Sequence, residues 1–114
     1  MFVKPVTVVE TKLFSRLSVG VWNDGELAEF VDYIARDPEA GVVIPETGGV
    51  RKIRWSRAGS GKRGGVRVIY FFYDEDHPLY LIAIYAKAAR ENLHPEGMRT
   101  IRSFAADLKA GWKI

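Results

Sequence analysis

Lys52 and Arg54 stand two residues apart in a stretch of Val, Ile and Trp, a spacing that projects both side chains from one face of a β-strand. Arg67 lies in a second such stretch, among Val66, Val68, Ile69 and Tyr70, and Lys87 closes a third after Leu81, Ile82, Ala83, Ile84 and Tyr85. A cation inside an apolar run is costly unless it points to solvent or meets an anion. Four cations on a common face of neighbouring strands would suit phosphate, because the guanidinium fork matches two phosphate oxygens at once. Two plainer readings stand beside this one. Arg67 pairs with an acidic side chain such as Glu10, or the whole run is a solvated charged face. Tyr70, Tyr73 and Tyr85 offer ring faces on which bases can stack, although aromatic residues on strands are more often core.

The charge distribution along the chain sharpens the case. Residues 1–49 hold 4 basic and 8 acidic side chains, whereas residues 50–73 hold 7 basic and no acidic ones: Arg51, Lys52, Arg54, Arg57, Lys62, Arg63 and Arg67. Residues 74–114 hold 6 of each. A segment this one-sided is a local field that attracts polyanions, phosphate backbones first among them. Arg51, Arg57, Lys62 and Arg63 are therefore candidates for contact with a nucleic-acid backbone, and Tyr70 for contact with a base.

Other chemistries have less support. The chain has no cysteine, which removes disulfides, thiolate metal sites and a cysteine nucleophile together. With His77 and His94 as its two histidines, a metal site would have to rest on carboxylates. The Asp74-Glu75-Asp76 run reads as a solvated turn, and no cofactor is expected. Gly59, Gly61 and Gly64 match a GxGxxG spacing, but a dinucleotide site needs that run at the start of a helix, and here a strand comes next. The loop reads instead as a hairpin tip, or as a mobile carrier of Lys62 and Arg63. The opening residues show no charged leader before a long apolar core, and the apolar stretches are strand-sized, so a cytoplasmic protein is expected.

The elements that must position these residues can be read from local signals. The 114 residues suit a single domain. Residues 2–11 read as a first strand, with Pro5 hinting at an edge. Residues 12–20 are ambiguous, with a short helical turn as one reading. Asn23 with Glu26 three positions on predicts a capped helix carrying Leu27, Phe30, Val31 and Ile34 at helical spacing, and Asp37-Pro38 ends it. Residues 41–49 form a loop with a Thr47-Gly48-Gly49 turn. Strands are predicted over residues 50–57, 66–73 and 79–87. His94-Pro95 opens a last helix with Met98, Ile101, Ala105 and Leu108 as its apolar stripe, and Gly111 ends it. Consecutive strands joined by short loops are antiparallel neighbours. The expected class is α+β: a small antiparallel sheet with helices packed on one face and the other left partly open.

Residues 47–54, 61–70 and 84–87 carry a resemblance. Thr47-Gly48-Gly49-Val50-Arg51-Lys52-Ile53-Arg54, then Gly61-Lys62-Arg63-Gly64-Gly65-Val66-Arg67-Val68-Ile69-Tyr70, then Ile84-Tyr85-Ala86-Lys87 resemble the RelE/HigB family of toxins from type II toxin–antitoxin pairs, nearest the branch with a Gly-Lys-Arg-Gly-Gly loop. The resemblance implies a small antiparallel sheet with helices on one side. It implies cleavage of mRNA, generally in the ribosomal decoding site, and an antitoxin partner, commonly of helix-turn-helix type. The family's paired basic residues fall on Lys52 and Arg54, its strand arginine on Arg67, and its basic residue after the last strand on Lys87. Some members place an arginine directly after that lysine, where this chain has Ala88. Some carry a catalytic C-terminal tyrosine; counting onward from Lys87 places His94 there, although Leu93-His94-Pro95-Glu96 also reads as a helix start.

The chemistry so implied needs no metal. RNA supplies its own nucleophile, the 2′-hydroxyl, which attacks the adjacent phosphate. Arg54 and Arg67 would clamp the non-bridging oxygens, and Lys52 or Lys87 would serve as base if neighbouring cations and partial burial lower its pKa. Two rival classes use the same basic face without cutting: a nucleic-acid-binding module, and a phage-derived scaffold that docks an acidic partner. Strand scission separates them from the enzyme.

Overall fold

The computed structural model describes residues 4–56, 65–86 and 95–112. Arg57, Lys62, Arg63, Lys87 and His94, together with most of the glycine-rich loop, lie outside the described residues. The elements are β1 (Val8–Glu10), α1 (Lys12–Ser18), α2 (Asp24–Arg36), β2 (Val42–Val43), β3 (Val50–Trp55), β4 (Val66–Phe71), β5 (Leu79–Ala86) and α3 (Pro95–Gly111). The class is α+β, as the sequence predicts.

Local chemistry places the helix ends. Thr11 caps α1, its side-chain oxygen accepting from the Phe14 N–H at 3.1 Å. Asn23 and Glu26 form the reciprocal box at the start of α2, with bonds of 2.8 and 2.9 Å. The α2 helix ends as Asp37 leaves helical geometry ahead of Pro38. Pro95 begins α3, where its missing N–H costs nothing. Within α3 the expected stripe buries Ile101 and Ala105, with Leu108 partly buried beside Phe104 and Trp112.

The five strands form one sheet in the order β1-β5-β4-β3-β2. The β2–β3, β3–β4 and β4–β5 pairs are antiparallel, but β1 runs parallel to β5, so the sheet is mixed where an antiparallel one was expected. No short loop constrains β1; it is joined to β5 by register contacts such as Leu79 N–H to Thr7 O at 2.8 Å. It is also shorter than the expected 2–11. The 41–49 loop contains a two-residue edge strand, β2. At its end Gly48 and Gly49 adopt φ of 78° and 113°, left-handed values that favour glycine. Thr47 fastens this turn, its hydroxyl donating to Ile44 O at 2.6 Å and accepting from Val50 N–H at 3.0 Å.

The helices divide between the two faces of the sheet instead of sharing the one face expected. Phe14 of α1 and Phe30 and Ile34 of α2 pack with Val66, Val68, Tyr70, Leu79, Leu81 and Ile84 on one side. Ile101 and Ala105 of α3 pack with Val50, Ile69, Phe71, Ile82, Ala83 and Tyr85 on the other. The reason is that β4 has six consecutive buried residues, and a strand buried throughout requires cover on both faces.

Candidate functional site

Strand alternation assigns the cations to faces. Val50 of β3 belongs to the α3 side, so Lys52 and Arg54 point to that side, while Ile53 and Trp55 pack toward α1 and α2. In β4, Val66 and Val68 face α1 and α2 and Ile69 faces α3, which puts Arg67 on the α3 side. Lys52 and Arg54 therefore share a face, as their spacing predicts, and Arg67 lies on the same one. Their register is tighter than the sequence shows: Arg54 pairs directly across from Arg67, and Arg67 directly across from Tyr85.

Like charges directly opposite one another destabilise a sheet. Arg54 is exposed, but Arg67 retains only 8% of its accessible surface. Among the described residues no carboxylate comes within ion-pair distance of either. The acids that form ion pairs there do so elsewhere, Asp32 with Arg36, Glu39 with Arg51 and Asp74 with His77. Glu10, the partner considered for Arg67, is exposed and accepts from the Ser15 hydroxyl at 3.5 Å. A largely buried cation directly across from a second cation, with no counterion among the described residues, is costly. An anion between the two would remove it, and a phosphodiester has two free oxygens to offer two guanidinium groups.

Two sequence candidates fall on the other side of the sheet. Arg51 donates to the backbone carbonyls of Gly41 at 2.8 Å and Glu39 at 3.2 Å and holds the loop that precedes β2. Tyr70 is fully buried: its hydroxyl donates to Pro38 O and accepts from Gly41 N–H, both at 2.8 Å. Burial pushes that hydroxyl up to about 12. Both lie on the opposite side of the sheet from Arg54 and Arg67, Tyr70 fully buried and Arg51 engaged with backbone carbonyls. Gly41 is shaped around Tyr70, since a Cβ there would lie 2.8 Å from the ring and the hydroxyl. Tyr70→Phe should therefore destabilise the domain by about 1–3 kcal/mol, the cost of stranding buried polar groups, without altering RNA affinity. Urea melts and binding titrations on the same variant check both halves.

Tyr73 is partly exposed and belongs to an aromatic cluster with His77 and Trp112. In the Asp74-Glu75-Asp76 turn, Asp74 accepts from the Asp76 N–H at 2.9 Å and contacts His77 Nδ1 at 2.6 Å. Among the described residues no group of three His, Cys, Asp or Glu side chains is placed to hold a metal ion. The feature that sequence reasoning missed is the head-on pairing of Arg54 with Arg67. The register across β3 and β4 depends on the geometry of the loop that joins them, and residue spacing alone does not give it.

A family model described as RelE toxin of the RelE / RelB toxin-antitoxin system matches residues 7–112. A solved structure of E. coli toxin RelE, an arginine-to-alanine double mutant in the free state, matches with a TM-score of 0.50 and 17% identity, covering 76% of this chain and 88% of the other. At that identity the likeness concerns the fold.

Proposed function

Since the chain belongs to the RelE toxin family of toxin–antitoxin systems, we propose that it acts as an mRNA endoribonuclease of the RelE/HigB kind, cutting mRNA on the ribosome in the cytoplasm. The observation that carries this reading is the Arg54–Arg67 pair, two cations in direct register, one of them buried, with no acid among the described residues to balance them. In the proposed mechanism the pair grips the non-bridging oxygens of one phosphodiester. The 2′-hydroxyl attacks that phosphorus and the 5′-oxygen leaves, giving a 2′,3′-cyclic phosphate and a 5′-hydroxyl. Negative charge grows on the equatorial oxygens as the bond forms, and preorganised guanidinium groups stabilise it there. Lys52 and Lys87 are the proposed proton-transfer groups, and Arg57, Lys62 and Arg63 the proposed outer phosphate contacts. No metal ion takes part.

The proposed partner is an antitoxin of helix-turn-helix type, which must cover or distort this face for the host to survive. The test is scission itself. Purified protein added to translating ribosomes should cut the message. Cutting should persist when divalent ions are reduced to what the ribosome alone requires. Salt-sensitive binding without cutting would favour a nucleic-acid-binding module instead, and a need for a divalent ion bound to this chain would end the metal-free mechanism.

A further inference from the structure

One residue of β5 has no counterpart in β4. Ile69 pairs with Ala83 and Tyr70 with Leu81, which leaves Ile82 as the extra residue of a β-bulge. A bulge resets the alternation of a strand and re-aims the side chains beyond it. Leu81 packs toward α1 and α2 and Ile82 toward α3. Ala83 then repeats the α3 side, Ile84 returns to the α1 and α2 core, and Tyr85 faces α3. Were the same sequence to run on from Leu81 without a bulge, simple alternation would set Ile84 beside Arg67 and drive Tyr85 into the core beneath α1 and α2.

The bulge is fastened from the neighbouring chain segment. Thr11, directly after β1, donates its hydroxyl to Leu81 O at 2.9 Å and lies 3.3 Å from Ile82 O. Its backbone N–H also donates to Leu81 O, at 3.1 Å. One threonine thus caps α1 and ties down the carbonyls at the irregular step of β5.

We propose that this Thr11-held bulge builds the candidate site, by bringing Tyr85 onto the cationic face, where its ring positions the Arg67 guanidinium. The inference rests on reading the Arg54–Arg67 pair as the RNA site. Arg67 is a long side chain repelled by Arg54 on one neighbouring strand, and Tyr85 stands directly across from it on the other, on the same face and equally buried at 8% exposure. A ring with only two side-chain torsions is a rigid wall for such a group. Tyr85 is thus a positioning residue that acts through Arg67.

The test compares Tyr85→Phe, Tyr85→Leu, Thr11→Ser and Thr11→Val with the wild type, each shown by melting to be folded at the assay temperature. ¹⁵N relaxation of the Arg67 Nε–H reports how firmly the guanidinium is held, whether or not RNA is cut. Tyr85→Phe and Thr11→Ser should keep it ordered. Tyr85→Leu and Thr11→Val should loosen it and lower kcat by roughly 10- to 100-fold with little change in KM, as expected for a misplaced group. In the Arg67→Ala background, Tyr85→Leu should cost little more. If Arg67 stays equally ordered in Tyr85→Leu, if Phe proves as loose as Leu, or if the losses with Arg67→Ala are additive, the positioning role is wrong. If Arg67 loosens as expected while the wild type cuts no RNA, the positioning stands and the cleavage reading fails. Should Tyr85→Leu not fold, Thr11→Val against Thr11→Ser gives the same decision.

Discussion

Replacing Arg67 with alanine is expected to slow RNA cleavage by roughly 10²–10³-fold, the loss typical of removing one preorganised donor to a developing oxyanion. Binding of RNA or ribosomes should weaken far less, since one phosphate contact among several changes affinity modestly. The split would arise from where Arg67 sits: it is largely buried in the sheet, directly across from Tyr85 on one strand and from Arg54 on the other, and on the proposed reading its geometry is set before substrate arrives. Arg67→Lys should recover only part, because an ammonium cannot make the two-pronged contact. Removing a guanidinium with no carboxylate partner among the described residues leaves no acid stranded, but truncating so buried a side chain costs packing, so the variant's melt is measured before its kinetics are read. A well-folded Arg67→Ala protein that cuts at full rate would remove Arg67 from the mechanism.

Arg54→Glu should act on stability and activity in opposite directions. The two arginines repel across the β3–β4 pair; a glutamate at position 54 would turn that repulsion into a cross-strand ion pair. Each such change is worth roughly 0.2–1 kcal/mol, so the melting temperature should rise. Cleavage should fall by roughly 10²–10³-fold or more, because one donor is lost and the other is neutralised by a carboxylate in the place meant for phosphate. Arg54→Gln should lie between on both measures. A site that gains stability when its function is removed is one whose strain serves that function. If Arg54→Glu melts lower than the wild type while Arg54→Gln does not, the two side chains are not in the contact their register implies.

Much of this arrangement is legible in the residue pattern. The Asn23–Glu26 box, the Asp37-Pro38 stop and Pro95 are local signals, and local signals survive folding. The shared face of Lys52 and Arg54 comes from period-two alternation alone. Harder to read are features set by several elements together. The unbroken apolar run of β4 implies a strand covered on both sides, yet it reads equally well as a strand with one open face until α3 is placed. Arg51 lies beside Lys52 in sequence and on the opposite side of the sheet in space, so counting charges overstates the cluster. Tyr70 resembles a base-stacking residue by type, but its hydroxyl is committed to Pro38 and Gly41. The bulge at Ile82 leaves no mark on composition, and it decides whether Tyr85 or Ile84 stands next to Arg67.

If the Arg54–Arg67 pair promotes attack by the RNA's own 2′-hydroxyl, the cut ends must carry the mark of that chemistry, and their identity is the most direct test. Messenger RNA cut by the purified protein on translating ribosomes should end in a 2′,3′-cyclic phosphate, or the 3′-phosphate it hydrolyses to, and the downstream fragment should begin with a 5′-hydroxyl. A 3′-hydroxyl with a 5′-phosphate, or no cut by folded wild-type protein, would contradict the account.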